Sequence, residues 1–129
     1  MDSIFTKIIK GEIPSNKIFE DDRCIVILDI HPIQPGHCLV IPKKQIEFIW
    51  QLEDELYHHL WAVSKDVALH IQNILGTKRV AVVVDGEQVS HAHIQLIPVN
   101  GAKDLHATPP SEPDFPALEA ISAKITMIS

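Results

Sequence analysis

A chain of 129 residues with 11 lysines and arginines against 17 aspartates and glutamates carries a formal net charge of −6. With that sign, and no basic stripe interleaved with aromatics, neither nucleic acid nor an anionic membrane surface is a suitable partner. The length suits one domain, no apolar run reaches a membrane span, and the opening Met1–Lys7 lacks the basic start and apolar centre of a signal segment, so a cytoplasmic location is expected.

Ile4, Phe5, Ile8 and Ile9 repeat at helical spacing and predict a short N-terminal helix, closed by Gly11 and Pro14. Lys17 to Glu20 reads as a short strand, Asp21-Asp22 as a turn. Arg23 to Asp29 is β-branched and almost continuously apolar, the pattern of a strand buried on both faces. A proline-rich loop over 31–36 leads to a strand from His37 to Ile41, closed by Pro42. Leu52, Leu56, Leu60, Val63, Val67, Ile71 and Ile74 then step by fours and threes, one apolar stripe of a long helix that Gly76 ends. Acidic Glu53, Asp54 and Glu55 suit the positive end of its dipole. On this helix His58, His59 and His70 read as boundary or solvent-side residues without chemistry.

Val80 to Val84 and Ala92 to Val99 predict a hairpin whose loop, opened by Asp85-Gly86, holds about six residues. Four prolines between 109 and 116 predict an irregular crossing, and Leu118 to Met127 a short helix that must dock on something. Residues 1–100 therefore read as one α+β domain with a mostly antiparallel sheet, and 101–129 as a proline-rich extension with a terminal helix. Cys24 and Cys38, the two cysteines, lie in apolar runs and read as buried reduced thiols.

Within the last strand His91, His93 and Gln95 alternate with Ala92, Ile94 and Leu96. A strand sends alternate side chains to opposite faces, so the three polar residues share one face and the apolar ones can back onto a core. On pattern alone such a row is a wet sheet face, a metal chelate or a site that holds an imidazole in fixed orientation.

The segment Ser90-His91-Ala92-His93-Ile94-Gln95-Leu96-Ile97-Pro98 resembles the signature of the histidine triad (HIT) superfamily. So do residues 4–14, the block from Phe19 through Pro32, and Gln34-Pro35-Gly36-His37 with Leu39 to Lys44. The four segments run in the superfamily's order, and the likeness is nearest to its nucleotide-binding branch. The resemblance implies a five-stranded, mostly antiparallel sheet with one long and one short N-terminal helix. It implies a homodimer whose sheets join, a nucleoside monophosphate or purine nucleotide conjugate as ligand, and no cofactor. The implied reaction is hydrolysis or transfer at the α-phosphate through a nucleotidyl-histidine.

By position, His93 matches the nucleophile, whose other ring nitrogen the superfamily holds on a backbone carbonyl across the sheet. His91 and His37 match donors to phosphate oxygens. Asp29 matches the carboxylate that accepts from ribose hydroxyls, although as a residue it also reads as a strand end opening a turn. Phe5, Ile8, Ile27 and Ile30 match the apolar walls around the base. Gln88 and Ser90, just before the first histidine, are the further candidates for nucleotide contact.

Three departures qualify the match. Gln95 stands where the third histidine is expected; it can donate to a phosphate oxygen but cannot titrate, which keeps a transferase or phosphorylase reading open. A structural zinc of some bacterial members would need ligands where this chain has Ser3, Thr6 and Gln45, so none is expected. The loop before His91 is short, and its Asp85 and Glu87 bring negative charge near a phosphate site; a binding module with little catalysis remains an alternative.

Overall fold

The computed structural model describes residues 1–128. In chain order it has α1 (Ile4–Ile9), β1 (Lys17–Glu20), β2 (Cys24–Leu28), β3 (Cys38–Pro42), α2 (Asp54–Leu75), β4 (Arg79–Val83), β5 (Ile94–Val99) and α3 (Phe115–Ile125). Short 3-10 turns at Ile49–Gln51 and Ala102–His106, which no periodicity announces, precede α2 and follow β5. The strands form one antiparallel sheet in the order β1-β2-β3-β5-β4. This is the expected α+β, HIT-like architecture.

The sheet is covered on both faces, which explains the unbroken apolar runs of β2 and β3. On one face Cys24, Val26, Leu28, Val40, Ile94 and Leu96 pack against Leu60, Val63, Val67 and Ile71 of α2. Leu118 and Ile125 of α3 join that core, and the Met127 amide donates to the Ile18 carbonyl at 2.8 Å. On the other face Ile25, Ile27, Leu39 and Ile41 pack only against Phe5 and Ile8 of α1 and a few loop residues. The short helix leaves part of that face open, and the site lies there.

The stripe of α2 is borne out through its middle, but Ile74 is 44% exposed because the helix outruns the sheet. α3 starts three residues before the predicted Leu118. Asp114 caps it by accepting from the Ala117 amide, and Pro116 sits in its first turn. The hairpin loop is longer than expected, with strand pairing absent from 84 to 93. The antiparallel register Val40↔Ile94 would place Ala92 opposite Pro42, which has no amide hydrogen to donate. Pairing stops there, and the Ala92 amide turns to the Ile46 carbonyl at 2.7 Å. Among the described residues no helix is long and apolar enough to cross a membrane.

Candidate functional site

His91 and His93 lie in the unpaired stretch that enters β5, on the face of α1. Phe5 meets both rings edge-on, with centroids at 5.7 Å and 5.1 Å. Ala92, Ile94 and Leu96 point into the opposite core, so the alternation read from the sequence holds.

His93 is 8% exposed. Its Nδ1 lies 2.9 Å from the His91 carbonyl oxygen, which accepts only; Nδ1 therefore carries the proton and donates. Nε2 is left with a lone pair and has no hydrogen-bond partner among the described residues. The carbonyl that fixes the ring belongs to the same segment, two residues upstream, and not to a neighbouring strand as expected.

Both ring nitrogens of His91 are bonded within the protein. The ring is fully buried, its Nε2–H donates to the Pro42 carbonyl at 2.7 Å, and its Nδ1 accepts from the Ser3 hydroxyl at 2.7 Å. Burial pushes its pKa down, against the opposing pull of the Pro42 carbonyl. Its contribution is to anchor the backbone whose carbonyl holds His93. Around Ser3 the bonds continue. The Ser3 amide and the Thr6 hydroxyl both donate to the Gln45 side-chain oxygen, at 2.8 Å and 2.6 Å, and Gln45 donates to the Met1 carbonyl. These hydroxyls and one amide, already bonded to one another, are a poor donor set for zinc, which prefers thiolate and imidazole.

The Nδ1 of His37 accepts from the Ile33 amide and its Nε2–H donates to Gln95 Oε1 at 3.0 Å. Burial lowers its pKa, opposed by Asp29, whose Oδ2 stands 3.6 Å from Nε2. Because Gln95 Oε1 accepts from His37, the amide's two N–H groups are the end left for the cavity. Both ring nitrogens of His37 are thus bonded within the protein, one of them to Gln95.

Two cavities meet at His93 and Gln95. One, of about 300 Å³, is walled by Phe5, Ile8, Ile27, Ile30 and Leu39, with Asp29 at its edge. Asp29 Oδ1 accepts from the His31 amide at 2.8 Å, the turn role read from the sequence, while its side chain also borders the cavity. The second cavity, of about 360 Å³, lies toward the 85–88 loop and Leu105-His106. Gln88 borders both. Ser90 is exposed and borders neither, because the chain turns inward only at His91.

Sequence reasoning missed Leu39, Val89 and the second cavity's far wall, all brought near by folding. The alternation of β3 could have pointed to Leu39, which pairs with both Ile27 and Gln95. On α2, His59 donates to Asp21 at 2.7 Å and His70 to the Ile125 carbonyl at 3.0 Å. Both tie elements together, as their boundary placement suggested.

A sequence model of the HIT domain matches residues 10–102. The chain is 37% identical over 112 residues to "Protein hit" of Bacillus subtilis, covering 78% of this chain and 73% of that protein. Its fold is similar to the crystal structure of a Hit-like protein involved in cell-cycle regulation from Bartonella henselae. There the TM-score is 0.83 and the identity 29%, covering 96% of this chain and 94% of the other. It is also similar to a hypothetical histidine triad nucleotide-binding protein of Sulfolobus tokodaii, with TM-score 0.82 and 25% identity, over 94% and 87% of the two chains.

Proposed function

Because the chain belongs to the HIT domain family, we propose that it is a nucleotide-binding hydrolase that acts at the α-phosphate of a nucleoside phosphoramidate or adenylyl-type conjugate. The observation that carries this reading is the fixed tautomer of His93, with Nδ1–H on the His91 carbonyl and Nε2 bearing a free lone pair. A buried imidazole spent on structure would have both nitrogens bonded, as His91 does. A neutral imidazole with one nitrogen held is a competent nucleophile near neutral pH.

In this reading the base lies between Phe5, Ile8, Ile27 and Ile30, and Asp29 accepts from the ribose hydroxyls. Gln88 and the Gln95 amide donate to phosphate oxygens. Nε2 of His93 attacks phosphorus, the bond to the leaving group breaks, and water then cleaves the nucleotidyl-histidine. Gln95 cannot titrate, so the departing group takes its proton from water. Hydrolysis of adenosine 5′-phosphoramidate by wild type and by His93→Ala tests the reading. Loss of at least ~100-fold in the variant is expected, and equal turnover would overturn it.

The same glutamine supports one second reading, transfer of the nucleotidyl group to phosphate or a sugar phosphate. Product analysis with and without inorganic phosphate decides between acceptors; an unchanged product rules out a phosphorylase. We further propose a homodimer joined at β4. That strand is one of the two edges of the sheet, the other being β1, where the Met127 amide bonds to the Ile18 carbonyl; its Val82 is 47% exposed, and Phe48 and Trp50 are also exposed. The two buried free thiols, each pushed to about 12 by burial, suit a reducing cytoplasm.

A further inference from the structure

We infer that the second cavity beside His93 receives the leaving group and selects one that ends in a cationic amine. This rests on the reading of His93 as nucleophile. With the nucleoside in the apolar cavity, the leaving group on phosphorus has the other cavity to occupy.

The chemistry of that second cavity is distinctive. Its walls offer Ile33, Val83, Ile97 and Leu105 to an alkyl stem. Asp85 and Glu87 stand on its rim, and no lysine or arginine lines it. Neither carboxylate has an ion-pair partner among the described residues. The unpartnered Nε2 of the nine-tenths buried His93 borders the same space. A polyphosphate leaving group would carry several negative charges to within a screening length of two uncompensated carboxylates, whereas an ammonium would find both.

The step balances without a further reagent. The Nε2–P bond forms as the P–N bond of the phosphoramidate breaks, and the amine leaves with a proton taken from water. A second water, attacking phosphorus, breaks the Nε2–P bond, restores the imidazole and releases the monophosphate.

Three adenosine 5′-phosphoramidates of similar length provide the test: those of putrescine, pentylamine and γ-aminobutyrate, which end in a cation, a methyl group and an anion. At pH 8 the putrescine amine stays charged. The expected order of kcat/KM is putrescine, then pentylamine, then γ-aminobutyrate, with the putrescine-to-pentylamine ratio roughly 5-fold in low salt. In the double variant Asp85→Asn/Glu87→Gln that ratio falls toward one. Equal kcat/KM for all three, or a ratio that the double variant leaves intact, overturns the charge selection while hydrolysis at His93 stands. Cleavage of none of the three by wild type overturns both.

Discussion

His91 uses both ring nitrogens inside the protein and acts on the site through its backbone. The Ser3 hydroxyl is the nearer of two side-chain hydroxyls at its Nδ1, at 2.7 Å against 3.4 Å for that of Thr6, whose proton goes to Gln45. Removing that donor leaves a buried acceptor unpaired, which costs about 1–3 kcal/mol. Ser3→Ala is therefore expected to lower stability by that amount and kcat by roughly 10-fold with little change in KM, since the anchored carbonyl acts on the attacking ring and not on the nucleoside. Freed of its donor, His91 Nδ1 also protonates more readily, so the acid limb of the kcat profile should move to higher pH. A parallel loss of stability with an unmoved profile would reduce Ser3 to a structural role. At Gln95 the expected change is in binding. Gln95→Glu keeps an acceptor for His37 but sets a carboxylate against the phosphate, and kcat/KM should fall by ~100-fold; an unchanged value would remove Gln95 from the phosphate. The shared face of His91, His93 and Gln95 was legible because alternation along a strand depends on neighbours in sequence. The Ser3 and His37 contacts were not, since Ser3 and His91 are 88 positions apart, His37 and Gln95 58.

Elements show the same division. α2 announces itself through its stripe because the sheet it covers demands apolar residues every three or four positions. The extent of β5 was misread because pairing depends on the facing residue, and Pro42 has no N–H to give. That interruption releases the chain from the ladder just where His91 and His93 must turn toward α1. The loop before β3 depends on Gly36, whose φ is +91° and whose missing Cβ would lie 2.7 Å from Leu75 Cδ1 and 3.1 Å from Pro98 Cγ. Gly36→Ala should therefore destabilise the fold by ~2 kcal/mol or more, measured by denaturant unfolding, through backbone strain and crowding against α2 together. An effect near zero would mean that the 31–36 loop moves freely of α2.

For the molecule as a whole, the buried neutral imidazoles couple folding to pH. Burial lowers the pKa of His37 and His91 below the unfolded value of about 6.5. The unfolded chain then binds more protons than the folded one between the two values, so stability rises with pH across that window. It is fully present above about pH 6.5 and is lost as the pH falls toward the folded pKa values. Tm should drop on acidification from pH 7 to 5.5, and less so in a Ser3→Ala background, where His91 is less strongly held neutral; a flat Tm would mean that these rings take up protons without opening the fold. The antiparallel sheet and the burial of β2 on both faces were legible in the sequence, whereas the strand order and the division into two cavities arise only on folding, the latter when the 85–88 loop and residues 105–106 close over β5. The central claim concerns a single bond between His93 Nε2 and phosphorus. Intact-mass and peptide mapping of wild-type protein quenched in acid-free conditions during turnover of adenosine 5′-phosphoramidate should reveal one adenylyl group, located on His93 and missing from His93→Ala. Turnover at full rate with no adduct, or an adduct on another residue, would contradict the account.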